Sequence, residues 1–386
     1  MTLSPASALA QRSTRLAFLI AGLAGASWAP IIPYVQLRCG LTDTQLGLLL
    51  LCPGIGSVLA MPLSGALAGR LGCRWIIALA GVLVCCCLPV VASSHAIGVL
   101  AVTLALFGAG VGAIDCTINI QAVMVERASG RIMMSGFHGL FSVGGLLGAT
   151  GISILLGMGF SPTCAAWVGV GAILLIGVRT LPGLLASPAS ATGQSSALVL
   201  PRGPVLLIGL MCCVVFLAEG AATDWSAVFL ATVRHMSVRY SGMGYVAFAC
   251  TMTAGRLLGN RLTERLGERV LVVGGSLLAA AGMLLAVFTP FWQATLTGYV
   301  LLGAGCANIV PVLYSAVGRQ RIMPEHMAVS AITVLGYSGI LAGPAAVGFV
   351  AGAAGLPAAL AGIGLLLGFV ALMAFLFRKT LLKGGA

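Results

Sequence analysis

Apolar runs of about 20 residues, separated by short polar stretches, repeat along the whole 386-residue chain. At 1.5 Å of rise per residue, a helix of that length crosses a hydrocarbon core of roughly 30 Å. The pattern predicts twelve spans, at 16–37, 46–69, 75–93, 97–125, 134–158, 162–180, 204–231, 240–262, 269–289, 292–318, 327–351 and 356–377. Each is expected to be a helix, because a helix satisfies its backbone hydrogen bonds within the segment and lipid offers none. The spans divide six and six around 181–203, a segment with three prolines, several Ser and Gly, and a single charge, Arg202. The predicted organisation is an N-terminal half (1–180), a linker (181–203) and a C-terminal half (204–386).

The two halves echo each other. Gly65 to Arg74 reads G-A-L-A-G-R-L-G-C-R, and Asn260 to Arg269, 195 positions later, reads N-R-L-T-E-R-L-G-E-R. Leu67, Arg70, Gly72 and Arg74 thus fall on Leu262, Arg265, Gly267 and Arg269. The same offset carries Gly108 and Gly110 onto Gly303 and Gly305, and Ser135, Gly144, Leu146 and Gly148 onto Ser330, Gly339, Leu341 and Gly343. A constant offset across several segments points to two pseudo-symmetric six-helix halves in tandem.

Composition agrees. The chain is 60% hydrophobic and 7% charged, against about 25% charged for soluble domains. The net charge of +12 does not imply nucleic acid, since the basic residues sit in short loops between spans. The twelve cysteines lie largely within apolar runs, Cys85 to Cys87 consecutively, with no spacing that suggests a metal site or cluster. Arg12 and Arg15 precede an apolar run too long for a cleavable signal, so the first span is expected to be retained.

Lys and Arg set an expected orientation. With the N-terminus inside, the inner side collects Arg12, Arg15, Arg70, Arg74, Arg127, Arg131, Arg179, Arg202, Arg261, Arg265, Arg269, Arg319, Arg321, Arg378, Lys379 and Lys383. The outer side receives Arg38, Arg234 and Arg239, and Arg256 falls within a span. By the positive-inside rule both termini and the linker are expected to be cytoplasmic; the expected location is a bacterial inner membrane.

Twelve spans in two halves, with G-x-L-x-x-R-x-G-x-R after the second span and a copy after the eighth, resemble the major facilitator superfamily over essentially the whole chain. A narrower resemblance, to the bacterial fucose-permease-like sugar transporters, rests on Asp115 to Glu126 (D-C-T-I-N-I-Q-A-V-M-V-E), Phe137-His138 and Ala222 to Ser226 (A-T-D-W-S). The resemblance implies alternating access by a monomer. It also implies a central cavity faced by helices 1, 4, 7 and 10, and no cofactor. In the family the loop after the second span latches the inner side while the outer side is open. Gly65, Arg70, Gly72, Arg74, Glu264, Arg265, Gly267 and Arg269 would form the two latches. An acid usually precedes the Arg; the second copy has Glu264, whereas the first departs from the family pattern with Gly69. Gly72 and Gly267 also read simply as helix C-caps.

Ionisable groups within membrane helices cost about 2.5–3.5 kcal/mol on insertion scales and call for a reason. Asp115, Glu219, Asp224 and Arg256 qualify; Asp224 lies closer to the outer surface and reads as an interfacial charge. Gly108, Gly112, Asp115 and Asn119 share one small, polar helix face, suited to a cavity or to close packing. Glu219, Thr223 and Ser226 share another. Desolvation disfavours the charged form of a carboxyl, which suits Asp115 or Glu219 to carry a coupling proton with Arg256 as counter-charge. Arg256 reaching towards the inner surface is the competing reading. Trp28, Trp225, Asn119, Asn308, Tyr314 and Tyr337 are candidate solute contacts. Gln121 lies on a different face from Asn119, and His138 reads as a capping or interfacial residue.

Other functions fare worse. The only lysines are Lys379 and Lys383, so no G-x-x-x-x-G-K phosphate loop exists. Gly336-Tyr337-Ser338-Gly339 spells an intramembrane-protease tetrapeptide, but no His follows His326 to act as base. A channel fits a two-half chain less well than alternating access. The fourth span lacks the Arg, and the fifth the Gly-Pro pair, usual in drug-efflux relatives; Gly343-Pro344 lies in the eleventh span. The expectation is therefore a secondary transporter taking up a small polar solute, such as a sugar or polyol, with protons. Proton-antiporting efflux of a drug or metabolite is the alternative.

Overall fold

A computed structural model describes residues 4, 6–41, 43–186, 200–236 and 243–377. Arg239, Arg378, Lys379 and Lys383 and most of the expected linker lie outside them. Among the described residues the α-helices are α1 (Ala8–Ala26), α2 (Ile32–Cys39), α3 (Asp43–Leu71), α4 (Cys73–Ser93), α5 (Ile97–Ser129), α6 (Met134–Gly157), α7 (Pro162–Thr180), α8 (Pro204–Thr232), α9 (Met243–Phe288), α10 (Trp292–Cys306), α11 (Ile309–Val317), α12 (Glu325–Ala354) and α13 (Leu356–Leu376). No strand occurs among the described residues. The 46-residue α9 is two passes, interrupted at Gly267. Counting it so, the helical runs make the twelve membrane-crossing passes that the hydropathy predicts.

Two passes are not continuous helices, contrary to the reading of 16–37 and 292–318 as single spans. A proline ring clashes with the carbonyl four residues earlier and offers no N–H. Pro30 therefore stops α1 at Ala26, and the chain makes a 3-10 turn (Ala29–Ile31) before α2 begins. Pro311 acts likewise on Ala307, so α10 ends at Cys306 and α11 restarts after Asn308. Trp28 and Asn308 occupy these two breaks.

The chain forms two compact units, one comprising Met1–Arg131, Leu140–Leu200 and Met323–Ser330, the other Ile132–Gly139, Pro201–Ile322 and Ala331–Ala386. The sequence repeat reappears inside each. In the first, Gly108 faces the Pro53 carbonyl so closely that an added Cβ would lie 1.9 Å from its oxygen; in the second, Gly303 faces Phe248 the same way, at 2.3 Å. Glycine is thus needed for helix contact at both places.

Gly72 and Gly267 match as well, with φ, ψ of 84°, 157° and 78°, 157°. That conformation is open essentially to glycine alone, and it differs from the left-handed C-cap expected for these residues. It turns the chain directly from one helix into the next.

A further matched pair escaped the sequence reading. Arg38 donates to the carbonyls of Val91, Ala92 and Ser94 at the end of α4, at 3.1, 2.5 and 3.0 Å. Arg234 donates to the carbonyls of Ala286 and Val287 at the end of α9, at 3.0 and 2.6 Å, and to Thr295 Oγ1. Each guanidinium satisfies carbonyls that a helix end leaves without partners, and sits at the negative end of the helix dipole.

Candidate functional site

In the second unit, α8 carries Glu219 and the first pass of α9 carries Arg256. Arg256 Nη2 lies 3.1 and 3.3 Å from the two Glu219 carboxylate oxygens. The side chains are 9% and 16% exposed, so the pair is largely removed from solvent. Arg256 is thus an intra-membrane counter-charge to Glu219 rather than a group extended to the surface. Thr223, one turn on, spends its hydroxyl on the Glu219 backbone carbonyl at 2.9 Å.

Asp115 lies in α5, in the first unit. It is half-buried, and its carboxylate has no ion-pair partner among the described residues. Asn119 is buried; its Nδ2 donates to the Asp115 backbone carbonyl at 2.9 Å, and its Oδ1 accepts no hydrogen bond. The remainder of this helix face packs on α3. Ser57 donates to the Gly108 carbonyl at 2.7 Å, and a Cβ on Gly112 would strike Ser57. The glycines therefore serve helix contact, and the polar part of the face reduces to Asp115 and Asn119. Gln121 is engaged at both ends, donating to Thr14 Oγ1 and accepting from the Leu185 backbone N–H.

The candidate solute contacts differ in what each side chain touches. Trp28 packs on Phe107 with ring centroids 6.4 Å apart. Trp225 is half-buried, with an indole N–H that has no partner. Asn308 donates to the Gly255 carbonyl at 3.0 Å, tying the α10–α11 break to α9. Tyr314 is fully buried, with its hydroxyl 2.8 Å from Thr333 Oγ1 and its ring beside His138. His138 is thus a buried packing residue, not an interfacial one. Tyr337 meets Phe216 edge to face. Asp224 is exposed, and Arg234 is spent on helix carbonyls.

The duplicated loops differ in their surroundings. Gly65 faces Ser330, whose hydroxyl donates to the Met61 carbonyl at 3.1 Å, and an added Cβ at Gly69 would lie 2.5 Å from His326 Nε2. The imidazole of His326 occupies the space that a side chain at position 69 would need. Beside it, Glu325 pairs with Arg127 at 2.9 Å. In the second unit, Glu268 pairs with Arg319 at 2.5 Å, and Arg269 lies over the Phe375 ring at 5.2 Å. Arg70, Glu264 and Arg265 are exposed, and Arg74 donates its backbone N–H to the Leu185 carbonyl. Sequence reasoning missed Glu325, His326 and Glu268; the signal for His326 was the absent side chain at Gly69.

Twelve helical passes in two repeated halves, with charged groups inside the spans, define a polytopic membrane transporter. The profile of the Major Facilitator Superfamily matches residues 15–253 and 228–384, and the chain belongs to that family. An uncharacterised MFS-type transporter of Yersinia pestis is 49% identical over 364 residues, covering 94% of each chain. Among solved structures, the E. coli fucose:proton symporter FucP aligns with a TM-score of 0.79 at 17% identity, over 95% of this chain and 98% of its own. The human organic anion transporter MFSD10 aligns with a TM-score of 0.74 at 18% identity, over 94% and 99%. At such identities the likeness establishes the fold, which serves both a sugar symporter and an anion transporter.

Proposed function

We propose that this protein is a proton-coupled importer of a small polar solute, such as a sugar or polyol, and that Asp115 carries the proton. The observation behind this reading is the contrast between the two intra-membrane acids. Glu219 is held against Arg256 at 3.1 Å, so its carboxylate has a fixed cation beside it. Asp115 has no cation beside it among the described residues. A carboxyl without a counter-charge in a membrane is stable when protonated, and exposure to water on one side or the other lets the proton go. The Glu219–Arg256 pair then serves as a neutral element that holds α8 to α9.

Solute recognition is assigned to Asp115 and Asn119 with Trp28 and Trp225 and, at the second helix break, Asn308. Broken helices expose backbone groups that hydrocarbon would not tolerate, so such breaks suit a polar pathway. Tyr314 is a support for this region rather than a contact, because its hydroxyl is already engaged. The protein acts as a monomer in the cytoplasmic membrane with both termini inside, and no covalent step is involved. The absence from the fourth and fifth spans of the Arg and Gly-Pro pair usual in efflux relatives favours uptake.

The test is a screen in proteoliposomes. Adding a sugar or polyol outside is expected to raise the external pH as protons enter with the solute. If amphiphilic cations drive proton movement and no sugar or polyol does, the uptake reading is wrong and antiport takes its place.

A further inference from the structure

A groove of about 140 Å³ lies in the first unit between α1, α4, α5 and α7, lined among others by Ala17, Ile77, Gly81, Val82, Gly177 and Leu184. Apart from Cys85 and Thr180 its lining is aliphatic or glycine, and the Thr180 hydroxyl is spent on the Ile176 carbonyl at 2.8 Å. Nothing in the groove asks for a polar ligand. Two glycines shape it: a Cβ on Gly81 or Gly177 would meet no atom within 4 Å. Close helix contact therefore does not explain them, unlike Gly108 or Gly303. The groove opens on the exposed faces of two membrane-crossing helices, where Val82 is 55% and Val178 70% exposed.

One end of the groove is basic. Arg74 lies one turn before Ile77, and its backbone N–H donates to the carbonyl of Leu185, next to the lining residue Leu184. Arg179 sits between the lining residues Val178 and Thr180 and is exposed. Neither guanidinium forms an ion pair with a described residue. The site thus offers an apolar slot on helices long enough to cross a membrane, with Arg74 and Arg179 on the chain at the same end of it and neither in an ion pair with a described residue.

We propose that this groove binds one acyl chain of an anionic phospholipid whose phosphate is held by Arg74 and Arg179. The chain fills the volume left by the two glycines, and the headgroup supplies the missing negative charge, as basic pockets between membrane helices do for such lipids. The proposal rests on the membrane-spanning fold and is independent of solute and coupling ion.

Native mass spectrometry of the purified protein, titrated with phosphatidylglycerol or phosphatidylcholine, tests it. Wild type is expected to retain phosphatidylglycerol in preference. Arg74→Gln and Arg179→Gln should each weaken that preference roughly fivefold while leaving phosphatidylcholine binding unchanged. Gly81→Leu with Gly177→Leu should reduce retention of both lipids by filling the slot. The milder Gly81→Ala and Gly177→Ala, which meet no neighbouring atom, should fold and give a graded loss. Equal retention of the two lipids by wild type, or undiminished retention in all the glycine variants, would overturn the proposal. Loss of bound lipid on adding a transported solute would do so too, since the groove would then belong to the transport pathway.

Discussion

At the scale of single residues, the two intra-membrane acids are set apart by their neighbours. Breaking a buried ion pair by removing one partner leaves an uncompensated charge, at a cost of about 3–5 kcal/mol. Glu219→Gln should therefore lower the thermal midpoint of the purified protein markedly, and Glu219→Gln with Arg256→Gln should recover most of the loss. If the single variant unfolds at the wild-type temperature, the pair does not hold α8 to α9. Asp115→Asn removes no ion pair and should leave stability nearly unchanged. Both acids and Arg256 were legible in the sequence, because a charge in an apolar run is conspicuous. Their partners were not: hydropathy places a residue at a depth, and pairing depends on how helices are rotated against one another.

At the scale of elements, helix ends and contacts explain charges and glycines that hydropathy leaves unassigned. Arg38 and Arg234 count towards orientation in the sequence, yet each also caps a helix end. Replacing either with Ala should cost up to about 2 kcal/mol, seen as a lower thermal midpoint, whereas Arg70→Ala at an exposed position should cost far less. Equal effects at all three sites would refute the capping role. Gly69 makes a sharper case. Gly69→Asp would restore the usual family pattern, but its side chain must displace the His326 ring. Uptake in vesicles is expected to fall in Gly69→Asp and to recover in part when His326→Ala is added. No recovery would mean that the ring is not the obstacle. Sequence reasoning found the missing acid but not the imidazole 257 positions later, since no local pattern links them. The helix breaks at Trp28 and Asn308 were equally hidden within apolar runs, although Pro30 and Pro311 carried the signal.

At the scale of the whole molecule, the twelve passes and the two repeated halves were readable from hydropathy and one sequence offset. Lipid forces helices, and a duplicated chain repeats its glycine contacts, as Gly108 with Pro53 and Gly303 with Phe248 do. The repeat does not extend to chemistry: Asp115 and the Glu219–Arg256 pair occupy unrelated places in the two halves, and that asymmetry underlies the assignment of the proton to Asp115. The direct test compares solute exchange with solute-driven proton uptake in proteoliposomes of wild type, Asp115→Asn and Glu219→Gln. Exchange across the membrane needs the protonated carrier to bind and reorient, but net proton release only in the coupled cycle. Asp115→Asn, an uncharged mimic of the protonated acid, is predicted to retain exchange and lose proton uptake. Full proton uptake in Asp115→Asn, with loss confined to Glu219→Gln, would contradict the account and move the proton to the second half.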